Sequence, residues 1–175
     1  TALYGNTTET EVTLPAGITE ITAKMFYGFK GLKKIVIPEG VTEIGDYAFY
    51  GCTGLTEVVL PSTLTEIGQY AFQNTGIKEV VIPEGFYYFN GYAFKGSAVE
   101  RVVVKGHSNG SLGTEIFADC DKLVYADVRG ITSQLGTKMF MNCTALATVK
   151  LNEGLGAIYN DAFTNCTSIK ALYIS

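Results

Sequence analysis

Seven phenylalanines, Phe26, Phe49, Phe72, Phe94, Phe117, Phe140 and Phe163, follow one another at intervals of 23 residues, with a single interval of 22. A second ladder keeps step with them: Leu32, Leu55, Ile77, Val99, Leu123, Leu146 and Ile169, spaced 22 to 24 apart. Apolar residues recurring at a fixed period in the twenties do not describe a fold with one central core. Each unit has an apolar side that it cannot bury alone, so successive units must stack and cover one another. The expected architecture is a β-rich repeat solenoid of about seven to eight units of 22–24 residues, forming one domain over residues 1–175. Repeats start near positions 9, 32, 55, 77, 99, 123 and 146, with a partial one at 169.

Each unit has two halves. The first reads L-x-x-I-x-I-P, as in Leu32-Lys33-Lys34-Ile35-Val36-Ile37-Pro38 and Leu55-Thr56-Glu57-Val58-Val59-Leu60-Pro61. Its alternation and β-branched residues predict a short strand with one buried face. Pro15, Pro38, Pro61 and Pro83 each follow such a strand directly; lacking an N–H, proline belongs at a strand exit. The second half reads V-T-E-I-G-x-Y-A-F, as in Val41 to Phe49 and, with leucine first, Leu64 to Phe72. This pattern predicts a short extended piece, a glycine turn at Gly45 or Gly68, and a tight corner at the A-F pair. Eight strands stacked roughly 4.8 Å apart make a rod roughly 35–40 Å long.

L-x-x-I-x-I-P followed by V-T-E-I-G-x-x-A-F-x-x-C is similar to the BspA-like class of bacterial leucine-rich repeats, and the resemblance covers about Thr10 to the C-terminus. It implies a right-handed leucine-rich repeat coil whose L-x-x-I-x-I segments line a concave parallel sheet. It also implies a cell-surface protein with a role in adhesion. The asparagine of other leucine-rich classes is absent, its place being taken by Val41, Leu64 and Phe86. Departures gather in the fifth and sixth repeats, where Lys105 and Arg129 replace proline and the stretch Gly106-His107-Ser108-Asn109-Gly110-Ser111 loses the V-T-E-I pattern. A loop bulging from the stack is expected there.

Chemistry-bearing residues are sparse. Cys52, Cys120, Cys143 and Cys166 each stand three residues after a ladder phenylalanine. They read as buried thiols acting as small apolar knobs, with a disulfide framework or a metal site as alternatives. Phe29 holds the same place in the first repeat, and Thr75 and Ser97 replace cysteine where the corner is one residue shorter. His107 is the only histidine; its Gly/Ser/Asn-rich surroundings predict a solvated loop side chain. Glu20, Glu43 and Glu66 recur at one repeat position, which predicts an exposed stripe and not a converging carboxylate pair. Asn6-Thr7-Thr8, Asn142-Cys143-Thr144 and Asn165-Cys166-Thr167 match the glycosylation sequon, two of them inside the repeat corner. The glycines punctuate turns and build no phosphate loop. The reading is non-enzymatic, with no cofactor and no metal.

A net charge of −4 and no basic run longer than Lys33-Lys34 argue against nucleic acid as a partner, and no apolar run is long enough for a membrane span. Residues between the buried strand positions point away from the core: Thr13, Val36, Val59, Val81, Val103, Asp127, Lys150 and Tyr173. Beside them run Glu11, Lys34, Glu57, Glu79, Arg101 and Tyr125, while Val58, Leu60, Val80 and Ile82 make the buried side of the central strands. The apolar stripe Val36, Val59, Val81 and Val103, rimmed by Lys34, Glu57, Glu79 and Arg101, is the candidate protein-binding surface; strand propensity alone is the plainer account of it. Tyr87 and Tyr88 replace the polar T-E pair of neighbouring repeats, with the column Tyr47, Tyr70 and Tyr92 nearby, and form a candidate glycan platform. Tyrosines lying flat over the convex core are the plainer reading there. The function expected is a binding and adhesion scaffold recognising a host matrix or surface protein; a carbohydrate-binding accessory module and a passive spacer are the alternatives. The location expected is extracellular or bacterial cell surface, with the signal sequence outside this chain, which opens at Thr1. Ile169 to Ser175 supplies one more strand with nothing after it to cover it, so a continuing chain or a pairing molecule is expected at that end.

Overall fold

The computed structural model describes residues 10–107 and 112–175, and among these every regular element is a short strand, with no helix. One set of strands comes from the L-x-x-I-x-I half-repeats: β1 (Glu11–Val12), β3 (Lys34–Val36), β5 (Glu57–Val59), β7 (Glu79–Ile82), β9 (Arg101–Val104), β10 (Tyr125–Asp127), β12 (Thr148–Leu151) and β14 (Ala171–Ile174). The second set comes from the V-T-E-I half-repeats: β2 (Glu20–Ile21), β4 (Glu43–Ile44), β6 (Glu66–Ile67), β8 (Tyr88–Phe89), β11 (Gln134–Leu135) and β13 (Ala157–Ile158). All pairs are parallel and advance by one repeat, as where Lys34 faces Glu57 and Val81 faces Val103. In the first set, β1-β3-β5 form one sheet and β7-β9-β10-β12-β14 another. In the second, β2-β4-β6-β8 and β11-β13 form separate sheets, and Leu112 of the irregular repeat bridges to Phe89 at the end of the first of them. The result is a parallel β-solenoid of about seven turns.

The phenylalanine ladder becomes a continuous ring stack inside the coil. Phe26, Phe49, Phe72 and Phe94 lie 4.9 Å apart, centroid to centroid, with planes 3–9° from parallel. Phe117 follows at 5.2 Å, Phe140 at 5.7 Å and Phe163 at 5.6 Å. The stack spacing is the strand spacing, so one repeat length satisfies backbone pairing and ring contact together. The residues Ile18, Val41, Leu64, Phe86, Ile131 and Leu155 form another inward column.

His107 belongs to that column, contrary to the expectation of a solvated loop side chain. It is buried, pairs with Ile131 in a parallel bridge, and its ring lies 6.5 Å from that of Phe89. Position 107 is where its coil turns a side chain inward, between Phe86 and Ile131 of the neighbouring coils. Polar neighbours describe the chain around it and do not decide which way the residue faces. Of the expected bulge, Ser108 to Ser111 lie outside the described residues; His107 and Leu112 on either side both sit in the stack.

The A-F corner owes its tightness to two left-handed residues per coil. The first column is Lys24, Tyr47, Tyr70, Tyr92, Glu115, Lys138 and Asp161, and the second is Gly28, Gly51, Asn74, Gly96, Asp119, Asn142 and Asn165, all with φ between 55° and 69°. Gly, Asn and Asp tolerate this conformation; Tyr, Lys and Glu adopt it at a cost. Inter-coil bonds from the corner offset that cost: Phe49 N–H donates to Ala71 O at 2.7 Å, Phe72 to Ala93 at 2.7 Å and Phe94 to Ile116 at 2.8 Å. Coils approach so closely beside this corner that a Cβ on Gly54 would collide with the Lys30 carbonyl oxygen.

The four cysteines are free; Cys52, Cys120 and Cys143 are buried and Cys166 half-buried. Each thiol reaches the phenylalanine carbonyl of the preceding coil: Cys52 to Phe26 at 3.0 Å, Cys120 to Phe94 at 3.2 Å, Cys143 to Phe117 at 3.1 Å and Cys166 to Phe140 at 3.0 Å. Burial pushes Cys52 up to about 12 and Cys120 up to about 11, and raises Cys143 and Cys166 as well. In the shorter corners the hydroxyls of Thr75 and Ser97 instead donate to Phe72 and Phe94 of their own coil, at 2.9 and 2.6 Å. Within the second left-handed column the sequon amides are also engaged: Asn165 Nδ2 donates to Asn142, and Asn142 Nδ2 to Asp119.

Candidate functional site

Strand alternation fixes which side chains leave the core on the concave sheet. Val36, Val59 and Val81 are 51%, 43% and 38% exposed, and Val103 is half-buried. Past Val103 the column turns polar. Asp127 is buried, accepting from Arg129 Nε at 2.9 Å and Nη2 at 2.8 Å. These bonds hold its carboxyl below the ordinary carboxylate range. The flanking column neutralises itself pairwise. Lys34 Nζ is 2.6 Å from Glu57 Oε1, and Arg101 Nε donates to Glu79 Oε1 at 2.9 Å. The Arg101 guanidinium also lies 4.3 Å from the Tyr125 ring centroid, with Lys150 Nζ at 5.6 Å. Exposed pairs of this kind add little to stability; here they frame the valines with charge that is already partnered. The residues read from the sequence as a binding surface therefore share one face.

That face departs from the sequence pattern at one place. Among the described residues no ladder joins β5 to β7. Val58 and Leu60, expected on the buried side of the strand, are only half-buried, whereas Ile35, Ile37, Val80 and Ile82 are buried. A cleft of about 330 Å³ opens between the two strands, lined by Val58, Val59, Leu60, Val81, Glu57 and Glu79 among others. The departure falls at the first shortened corner, where Phe72 to Ile77 replaces the longer Phe49 to Leu55 spacing.

The tyrosines sort into two kinds. Tyr47, Tyr70 and Tyr92 stack on one another at 4.8 Å, and Lys24 and Lys95 lie 5.7 and 5.6 Å from the end rings. Their faces are thus occupied by one another and by the two lysines. On the second sheet Tyr88 is half-buried and continues the row Glu20, Glu43, Glu66, while Tyr87 is 54% exposed. Partial desolvation, then the carboxylates of Glu66, Glu20 and Asp46, push Glu43 above the ordinary carboxylate range. Among the described residues no group of three or more His, Cys, Asp or Glu is arranged to hold a metal ion. Burial lowers the pKa of His107, against a weaker backbone hydrogen bond with Tyr87 that raises it. No helix among the described residues is long and apolar enough to cross a membrane.

Repeat period, parallel coil and inward ring stack coincide with a family description, the BspA-type leucine-rich repeat region, which matches residues 1–124 and 110–175 in six copies. The chain belongs to the BspA-type leucine-rich repeat family. Among solved structures, a leucine-rich repeat protein from Bacteroides ovatus is 26% identical, with a TM-score of 0.77 over 91% of this chain and 47% of its own. The leucine-rich repeat protein of T. pallidum is 23% identical, with a TM-score of 0.54 over 94% of this chain and 69% of its own. The pneumococcal vaccine antigen PcpA is 20% identical, with a TM-score of 0.57 over 94% of this chain and 50% of its own. The last two likenesses establish the fold alone. The chain spans about half the length of the Bacteroides ovatus protein. No match to it is found among curated proteins. A BspA-type repeat array is a scaffold suited to binding.

Proposed function

We propose that this chain is a single-domain, non-enzymatic binding and adhesion scaffold of a bacterial cell-surface or secreted protein, gripping a protein partner on its concave face. The observation that carries the reading is the exposed stripe of Val36, Val59 and Val81. Protein interfaces concentrate their energy in a desolvated centre and keep charge at the rim, and here Lys34, Glu57, Glu79 and Arg101 form the rim. The test is the double variant Val59→Lys/Val81→Lys, assayed by surface plasmon resonance against a panel of purified extracellular matrix proteins. Both side chains leave the core, so folding survives, with surface changes usually within about 0.5 kcal/mol each. Affinity for the panel member that the parent chain binds falls at least about tenfold, or 1.4 kcal/mol.

The exposed ring of Tyr87 on the second sheet supports a second reading, a carbohydrate-binding accessory module. The variant Tyr87→Ser/Tyr88→Ser separates the two. If it abolishes binding while the lysine pair leaves binding intact, the concave-face reading is wrong and a glycan array becomes the right screen.

A further inference from the structure

Each regular coil turns two apolar side chains inward along the second sheet, three residues apart: Val41 and Ile44, Leu64 and Ile67, Phe86 and Phe89. In the β9 coil the corresponding residues are His107 and Leu112, five apart, and in the β10 coil Ile131 and Leu135, four apart. Extra residues between two inward positions put the backbone out of register with its neighbours, and the ladder lapses. β8 and β11 lie in separate sheets. Among the described residues, the β9 coil is held on this side by two isolated bridges, Phe89 with Leu112 and His107 with Ile131. Gly113 N–H donates to Phe89 O at 2.8 Å and His107 N–H to Gly130 O at 3.0 Å. Elsewhere the same coil is continuous with its neighbours. β9 pairs with both β7 and β10, and at the corner Phe94 N–H donates to Ile116 O at 2.8 Å and Phe117 N–H to Met139 O at 2.9 Å. The second-sheet side of the β9 coil is a seam in an otherwise unbroken stack.

One of the residues closing that seam can take a charge. His107 is 4% exposed, paired with Ile131, and its ring lies 16° from parallel to that of Phe89. The charged side chains on the turns beside it, Glu84, Lys105 and Arg129, are exposed. On the facing strand Tyr87 meets the histidine through its backbone, and Tyr88 is half-buried. Among the described residues His107 forms no ion pair with a carboxylate. A proton on the ring therefore places an uncompensated charge among apolar side chains, and moving the side chain into water is the inexpensive way to relieve it.

We infer that the seam is an acid-operated conformational switch: when His107 takes a proton its side chain leaves the stack, the bridges to Ile131 and between Phe89 and Leu112 open, and the first sheet stays paired. The closed seam holds His107 neutral, whereas the open seam lets it bind a proton at the ordinary histidine value. The seam is therefore shut above about pH 6.5 and opens as the pH falls toward the lower value of the closed state. Opening uncovers Phe86, Phe89 and Ile131, so in acid the rod presents an apolar surface that it hides at neutral pH. Local opening of one side of a coil is possible because the bonds of β9 to β7 and β10 do not depend on the seam.

The test is hydrogen exchange of the full chain by NMR, with rates corrected for the intrinsic pH dependence of amide exchange. The amides of His107 and Gly113 report on the seam, and that of Val124, which donates to Glu100 O at 2.9 Å, reports on the first sheet. Protection at the two seam amides is expected to fall about tenfold per pH unit below about pH 6.5, while Val124 keeps its protection. His107 is the only histidine, so its single imidazole signal should move to that of a solvated imidazolium over the same range. In His107→Phe and His107→Leu, which keep the column apolar, the pH dependence at Gly113 should vanish. Seam protection that does not change with pH overturns the inference, as does the same slope in both variants. Equal loss of protection at Val124 also overturns it, because the coil then unfolds as a whole and no switch is confined to one side.

Discussion

Phe94→Ala removes a ring from the middle of the stack. That ring is fully buried and has neighbours on both faces, Phe72 at 4.9 Å and Phe117 at 5.2 Å, with planes 4° and 11° from parallel. Burial and cavity terms for a core Phe→Ala change come to about 3–5 kcal/mol. Two stacked contacts, each about 0.5–1.5 kcal/mol beyond area burial, place Phe94 at the upper end, near 5 kcal/mol. Phe163 has one stacked neighbour, Phe140 at 5.6 Å, and is only half-buried; Phe163→Ala is expected to cost about 2 kcal/mol. Urea unfolding of both variants and the parent, read by far-ultraviolet circular dichroism and by tyrosine fluorescence, measures the difference. Two probes are needed because a repeat stack loses cooperativity when one coil weakens. Equal losses, or a larger loss at Phe163, refute the account of the ladder as a column supported from both sides.

His107 is neutral and buried, with its pKa lowered beneath 6.5. The unfolded chain then binds the extra proton first, so the contribution of this site is complete above about pH 6.5 and is lost as pH falls through the folded value. In melting curves between about pH 7.5 and 5, His107→Phe should flatten the decline; an unchanged slope would show that other groups set it. The thiols should be inert in the folded state. Mass spectrometry after iodoacetamide treatment should find Cys166 labelled first and Cys52, Cys120 and Cys143 only after unfolding, with reductant leaving the melt unchanged. Labelling of Cys143 at the rate of Cys166, or a reductant-dependent melt, contradicts the buried-knob assignment.

The sequence spacing of Phe26 to Phe163 and of Leu32 to Ile169 was enough to announce a parallel solenoid, because such a fold repeats one set of contacts from coil to coil. The outward valine column followed from strand alternation alone. The environment of His107 was not legible: its loop composition pointed outward, and its intervals of 21 residues from Phe86 and 24 from Ile131 do not keep a regular period. The cleft between β5 and β7 is harder to read. Val58 and Leu60 carry the same pattern as Val80 and Ile82, and only the pairing between coils separates them. The shortened Phe72-to-Ile77 corner marks the place without deciding the outcome, since the return to the longer corner between β9 and β10 keeps its ladder intact. The self-stacking of Tyr47, Tyr70 and Tyr92 depends on ring orientation at a left-handed backbone position, which repeat spacing does not convey.

The backbone bonds that join coil to coil, such as those of Phe49, Phe72 and Phe94, point along the axis of the rod. Tension applied at the two ends therefore falls on one row of bonds at a time, and rows part in succession instead of sharing the load. Each coil that lets go releases 23 residues in the regular repeat, which at roughly 3.3–3.6 Å per extended residue is about 75–80 Å of new length. Under shear, a molecule built this way yields in increments far longer than its own folded coils, dissipating the pull one turn after another while the turns not yet reached keep their shape.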